Sequence, residues 1–210
     1  MQVKHKMTQN PICISSKQTI SEVLDLMNQH DIHRLPVVDN NKLVGLVTEG
    51  VVLENSPSSA TSLSMHELNY LLSKTKVADI MIKDVLTISP EALVEEAAHI
   101  METNDIGCLP VIDERMEVIG IITTNDILKA FVDLLGYTDP GTRVVVEIND
   151  DRVGMLKDLA EVFAKENINL KRLTAHRNGV NEFVIKCEET DKVKVKKVLE
   201  DSGFKVTSIQ

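Results

Sequence analysis

The sequence matches itself at a shift of 74 residues, so the chain must build one structural unit twice. Val3 falls on Val77, Met7 on Met81, Ile14 on Ile88 and Ser15 on Ser89. Glu22 falls on Glu96, Met27 on Met101, Asp31-Ile32 on Asp105-Ile106, and Leu35-Pro36-Val37 on Leu109-Pro110-Val111. Asp39 meets Asp113; one residue is then inserted in a polar turn, and at a shift of 75 Gly45 meets Gly120 and Thr48 meets Thr123. Each copy reads as a short strand (residues 12–15 and 85–89), a helix, two apolar strands around a charged turn (35–38 with 43–47, 109–112 with 118–122) and a closing helix. Ile20, Val23, Leu24 and Met27 lie at the i, i+3, i+4, i+7 spacing of a buried helical face, as do Val94, Ala97, Ala98 and Met101. Thr19 and Glu22 have capping-box spacing at the first helix start. One such unit leaves an apolar sheet face open, and two can cover each other.

Composition narrows the fold class and the partners. With 43% hydrophobic residues but only 3% aromatics and no Trp, the core must be aliphatic, which suits close-packed α/β layers. The net charge of -9 is uneven: residues 1–142 hold 10 basic and 20 acidic groups, residues 143–210 hold 13 and 12. An acidic surface repels phosphate backbones, and few aromatics means few stacking platforms, so no nucleic-acid partner is expected. No apolar run approaches the ~18 residues of a membrane span, and residues 1–7 lack an apolar targeting stretch, so a cytoplasmic protein without a membrane partner is expected. Cys13, Cys108 and Cys187 are too far apart for metal spacing and sit in apolar strand-like runs, which reads as buried thiols in a reducing compartment.

The repeated pattern resembles the CBS domain pair, or Bateman module. Ile32-His33-Arg34-Leu35-Pro36-Val37-Val38-Asp39 with Gly45-Leu46-Val47-Thr48 carries the resemblance in the first copy. Ile106-Gly107-Cys108-Leu109-Pro110-Val111-Ile112-Asp113 with Gly120-Ile121-Ile122-Thr123-Thr124-Asn125-Asp126 carries it in the second. The resemblance divides the chain into a first repeat (1–60), a connection (61–75), a second repeat (76–136), a short linker (137–142) and a C-terminal domain (143–210). The small polar segment 56–62 reads as a flexible insertion with no chemistry of its own.

The C-terminal domain reads as βαββαβ, a ferredoxin-like plan. Residues 143–148 alternate as a strand, Leu156, Leu159, Ala160 and Phe163 mark a helix, and Asn178-Gly179 signals a hairpin between strands 168–175 and 181–187. A helix over 191–201 ends at Gly203 before a last strand, 204–209. The turn Asp151-Arg152-Val153-Gly154-Met155-Leu156 resembles that of ACT domains, which implies amino-acid binding at a dimer interface by Asn149, Asp150, Asp151, Gly154 and Leu156. Adjacent Asp150 and Asp151 and the bulky Arg152 depart from that pattern. The order CBS pair then ACT resembles acetoin-utilisation AcuB-type proteins. The basic run 192–197 reads as the solvated face of the last helix, with Val195, Val198 and Leu199 inward.

The CBS resemblance implies an adenine nucleotide (AMP, ATP or cyclic di-AMP) as a regulatory ligand, with no catalytic cofactor. It assigns Asp126 to the ribose hydroxyls, with Thr123 beside it, and His33 and Arg34 to phosphate, with apolar help from Ile12 and Ile122. A carboxylate accepts from two hydroxyls at once, and an Arg fork fits phosphate. The first repeat holds Val51 at the Asp126 place, and the second holds Gly107 and Cys108 at those of His33 and Arg34. One complete site therefore results, and the other lacks its ribose Asp and its phosphate cations. Asp126 also reads as a first-turn residue favoured by the helix dipole, and His33-Arg34 as polar residues before an apolar strand. His30 and His33 lack the further ligands that zinc needs, and no motif with a catalytic mechanism occurs, so no enzyme is expected. Homodimerisation and a regulated partner protein are expected; a ligand-free dimerisation scaffold is the alternative.

Overall fold

The computed structural model describes residues 1–55, 65–150, 152–177, 179 and 181–210. The segment 56–62, Asp151 and Asn178, to which the sequence assigns an insertion, a ligand contact and a turn, lie outside the described residues. The chain forms two compact units, 1–128 and 129–210.

The first unit holds both repeats. Its elements are β1 (Thr8–Gln9), α1 (Ile20–His30), β2 (Arg34–Asp39), β3 (Lys42–Thr48), α2 (Glu49–Glu54), α3 (Met65–Lys74), α4 (Val77–Ile80), α5 (Val94–Thr103), β4 (Cys108–Ile112) and β5 (Val118–Thr123), with α6 (Thr124–Leu135) running across the division. Helix α1 starts with the expected reciprocal cap: Thr19 Oγ1 accepts from Glu22 N–H while the Glu22 carboxylate accepts from Thr19 N–H at 2.7 Å. Strands β2 and β3 form one antiparallel hairpin, and β4 and β5 another. Both slip register at the same place, between Val37 and Val38 and between Val111 and Ile112.

The inserted residue lies in the second hairpin's turn. In the first, Asn40 and Asn41 make a two-residue loop, both with left-handed φ (50° and 63°), the conformation that matches the twist of a tight hairpin. In the second, Glu114, Arg115 and Met116 span the gap, and Met116 alone is left-handed. The expected strands at 12–15 and 85–89 reduce to single parallel bridges, Ile14 to Val37 and Ile88 to Val111. Ile14 faces inward and Cys13 outward, so Cys13 is exposed rather than buried; Cys108 and Cys187 are buried.

The opening segment of each copy packs into the other copy. Val3 is fully buried among Ile88, Leu109, Val111 and Ile122, in the core of the second repeat. Val77 is fully buried among Ile20, Leu35 and Val37, in the core of the first. Strand β1 pairs with β5, and Ile82 bridges Leu46 in the equivalent place on β3. Gly45 and Gly120 hold matching positions on β3 and β5 because side chains cross there: a Cβ on Gly45 would lie 2.6 Å from the Met81 sulfur, and one on Gly120 would strike Met7. Exchange of these arms ties the repeats into one module.

The second unit is β6 (Thr142–Glu147), α7 (Met155–Lys165), β7 (Leu170–His176), β8 (Glu182–Cys187), α8 (Lys192–Asp201) and β9 (Lys205–Ile209). Its sheet is antiparallel in the order β7-β8-β6-β9, the ferredoxin-like arrangement. Leu159 and Phe163 of α7 and Val195 and Leu199 of α8 pack on Val144, Val146, Phe183 and Ile185. Lysines of α8 are exposed, and its N-cap Asp191 accepts from the N–H groups of Val193 and Lys194. Gly141, at φ +119°, lies against the Cys187 carbonyl where no Cβ fits, and the largely buried Lys186 donates to the Gly141 carbonyl at 3.0 Å.

Candidate functional site

Two cavities flank the junction of the repeats, and the repeat itself relates them. The first, about 390 Å³, is lined by Ile12, His30, His33, Arg34, Ile121 and Thr123 among others. The second, about 430 Å³, is lined by the counterparts of all six: Leu86, Asn104, Gly107, Cys108, Leu46 and Thr48. Leu46, Cys108 and Ile121 form a small buried cluster with Val85, the apolar floor shared by the two hairpins.

Register explains which side chains reach the first cavity. Arg34 pairs with Thr48 at the end of β3, as Cys108 pairs with Thr123 at the end of β5. Ile12, His33, Arg34 and Thr123, four of the six residues expected at the nucleotide site, converge there. Ile122 does not. It is fully buried in the core of the second repeat, and Ile121 faces the cavity instead. Successive strand residues point to opposite faces, so a one-residue offset separates core from site.

Asp126 stands behind Thr123 rather than on the cavity wall. Its Oδ2 accepts from the Thr123 backbone N–H at 2.9 Å and from the Thr123 hydroxyl at 2.7 Å, and Thr123 Oγ1 faces the Asp126 N–H at 3.4 Å. This is a reciprocal cap on α6. Asn125, one residue earlier, lines the cavity. In the first repeat Thr48 caps α2 by accepting from Val51 N–H at 3.2 Å, with no carboxylate to complete the exchange.

His33 and Arg34 differ in commitment. His33 Nδ1 lies 3.0 Å from Glu49 Oε2, so a carboxylate already holds the ring. Arg34 forms no hydrogen bond or ion pair among the described residues, and its guanidinium lies over Gly107, where a Cβ would come within 2.7 Å of Nη2. Arg34 therefore lines both cavities, so the second cavity is not without a cation as the sequence implied. Burial pushes the Cys108 thiol up to about 11, against the pull of the Arg34 charge, so it stays neutral. Nothing in the sequence pattern of one repeat signals this crossing; Gly107 opposite Arg34 is its trace.

In the second unit a cleft of about 460 Å³ is lined by Asn149, Asp150, Arg152 and Met155, together with Phe204 and Lys205. Gly154 and Leu156 are exposed outside its wall. Gly154 precedes α7 with φ +94°, which favours glycine. Of the two carboxylates, Asp150 and Asp151, that the ACT resemblance offers to a ligand ammonium, Asp150 is occupied by Arg152, whose Nε lies 3.5 Å from Asp150 and whose Nη2 lies 2.6 Å from Asp158. Lys205 pairs with Glu147 at 2.7 Å and Lys165 with Glu161 at 3.0 Å, so this cleft is walled by ion pairs. Among the described residues there is no group of three or more side chains able to hold a metal ion and no helix long and apolar enough to cross a membrane.

Duplicated hairpins with exchanged arms and twin clefts define a tandem CBS module. The family model for the CBS domain matches residues 2–57 and 77–133, more than half of the chain, and the chain belongs to that family. A CBS domain-containing protein of Dictyostelium discoideum is 31% identical over 148 residues, which cover 66% of this chain and 96% of that protein. The uncharacterized protein MJ1225 of Methanocaldococcus jannaschii is 34% identical over 125 residues, 59% of this chain and 45% of that one. Inosine-5'-monophosphate dehydrogenase of the same organism is 36% identical over 120 residues, 56% of this chain but 21% of the enzyme. The chain thus spans less than half the length of those two relatives. Among solved structures, a putative acetoin utilization protein from Vibrio cholerae superposes with TM-score 0.55 at 31% identity, covering 66% of this chain and 96% of that one. CBSX2 of Arabidopsis thaliana, solved in complex with AMP, gives TM-score 0.54 at 29% identity over 63% of this chain and 97% of its own. The CBS pair of MJ0100, solved with 5'-methylthioadenosine and S-adenosyl-L-methionine, gives 0.52 at 28% identity over 62% and 99%.

Proposed function

We propose that the chain is a non-catalytic regulatory sensor that binds an adenine nucleotide (AMP, ATP or cyclic di-AMP) in its first cavity and passes that state to a partner protein in the cytoplasm. The observation that carries this reading is the meeting of Ile12, His33, Arg34 and Thr123 around one cavity with an apolar floor. Arg34 offers an uncommitted fork for phosphate, and Thr123 and the nearby Asp126 offer oxygens for ribose. Adenosine-bearing ligands in the related CBSX2 and MJ0100 structures support the ligand class. Binding shifts an equilibrium only as far as the two states differ in affinity, so the readout must be a difference between two states of the module.

The second unit serves as an ACT-type dimerisation element of a homodimer. Strands β7 and β9 are sheet edges, which invite pairing with another copy. With Asp150 engaged by Arg152, an amino-acid ligand at 149–156 would have to displace that pair. A second reading, a ligand-free scaffold, is favoured by one observation: Asp126 Oδ2 is already satisfied by Thr123.

Thermal shift with AMP, ATP, cyclic di-AMP and amino acids tests the choice. A ligand at a hundredfold its Kd should add about 2.7 kcal/mol of stability. No shift with any adenine nucleotide would leave the scaffold reading, and a monomer mass in light scattering would remove the dimer from both.

A further inference from the structure

We propose that Arg34 is one cation shared by two cavities, so that a phosphorylated nucleoside bound in either withdraws the guanidinium from the other. This inference rests on the adenine-nucleotide reading and adds a coupling to it. Arg34 lines the first cavity, the second cavity and a third recess of about 420 Å³ bounded by His33, Thr48 and Gly107. It can do so because Gly107 has no side chain; a Cβ there would sit 2.7 Å from Nη2 and 3.4 Å from the guanidinium carbon.

Among the described residues that line the second cavity, no other is a cation. Its other charged lining residues are Asp84 and Asp105. The positions equivalent to His33 and Arg34 hold Gly107 and the neutral, buried Cys108. An anion entering there meets two carboxylates and one guanidinium that also serves the first cavity. A guanidinium presents its paired donors to one phosphate at a time. Two phosphates on either side of it would also repel each other. Phosphate-bearing ligands therefore bind the module with negative cooperativity, and the second cavity favours a nucleoside without phosphate once the first holds a nucleotide.

Calorimetric titration of the full chain with AMP and adenosine tests this. The expected result is one strong AMP step per chain, with any second step at least tenfold weaker, and adenosine binding to the AMP-loaded protein without displacing AMP. Arg34→Gln should weaken every AMP step by tenfold or more while leaving adenosine binding, which also reports that the variant is folded. Gly107→Ala, which pushes the guanidinium towards the first cavity, should abolish the second AMP step and keep the first. Two equal AMP steps in the wild-type chain, or an Arg34→Gln variant that loses only one of two steps, would overturn the shared cation and leave the nucleotide reading intact. No heat with AMP, ATP, cyclic di-AMP or adenosine would overturn the nucleotide reading itself, and the coupling with it.

Discussion

Thr123 and Asp126 hold each other: the Asp126 carboxylate accepts from both the N–H and the hydroxyl of Thr123, at 2.9 and 2.7 Å, just where β5 passes into α6. The pair orients the Thr123 hydroxyl at the cavity rim, so Asp126 can serve the site while standing behind it. Asp126→Ala should lower stability by about 1 kcal/mol through the lost cap and weaken adenine-nucleotide binding by about 1–3 kcal/mol. Asp126→Asn keeps a cap acceptor and should lose binding with little loss of stability. Paired melting and nucleotide titrations check this; a variant that loses stability alone would reduce Asp126 to a cap.

The exchanged arms make a symmetric prediction. Val3 and Val77 are each fully buried in the core of the opposite repeat. Val3→Ala and Val77→Ala should each cost about 2 kcal/mol, the lost methyl transfer plus the residual cavity. Val153→Ala, at a fully exposed position, should cost nothing measurable in the same denaturant titrations.

The thiols should separate by access. Cys13 is exposed, whereas Cys108 and Cys187 are buried; partial burial raises the pKa of all three, so access alone separates them. Iodoacetamide at mildly alkaline pH should add one carbamidomethyl group to the native chain, at Cys13, and three after unfolding. Intact mass and peptide mapping measure this, and Cys13→Ser should leave no fast-reacting thiol.

Acid should weaken the first repeat through Asp39. Hydrogen bonds from Ser16 and Ser15 hold its carboxyl below the usual carboxylate range. A depressed folded pKa means the contribution is present above the unfolded value and is lost as pH falls through the folded one. The loss should therefore appear below about pH 4, the ordinary Asp value, and Asp39→Asn should flatten that limb of a stability–pH curve measured by denaturant titration.

Gly141 should tolerate no side chain. Its φ of +119° and its position on the Cys187 carbonyl both exclude a Cβ. Gly141→Ala should cost more than about 1 kcal/mol, since strain and collision add; calorimetric melting of the chain checks this.

Much of this protein could be read before any fold was in view. The shift of 74, then 75, identified the duplication, and the location of its inserted residue foretold the different turns, Asn40-Asn41 against Glu114-Arg115-Met116. Thr19 and Glu22 marked a helix start because a cap needs only neighbours in sequence. The βαββαβ order was equally legible, since periods of two and 3.6 are local properties of a chain. Other features depended on distant partners. Ile121 rather than Ile122 faces the cavity because of the register between β4 and β5. Cys13 lies outside because its strand shrank to one bridge. The exchange of Val3 and Val77, and the crossing of Arg34 over Gly107, join residues far apart in chain order: Val77 packs on Val37 across 40 positions, Val3 on Ile88 across 85, and Arg34 lies over Gly107 across 73. Sequence periodicity says which face of an element is apolar; only packing decides which neighbour covers it, and a long side chain goes where a missing Cβ leaves room.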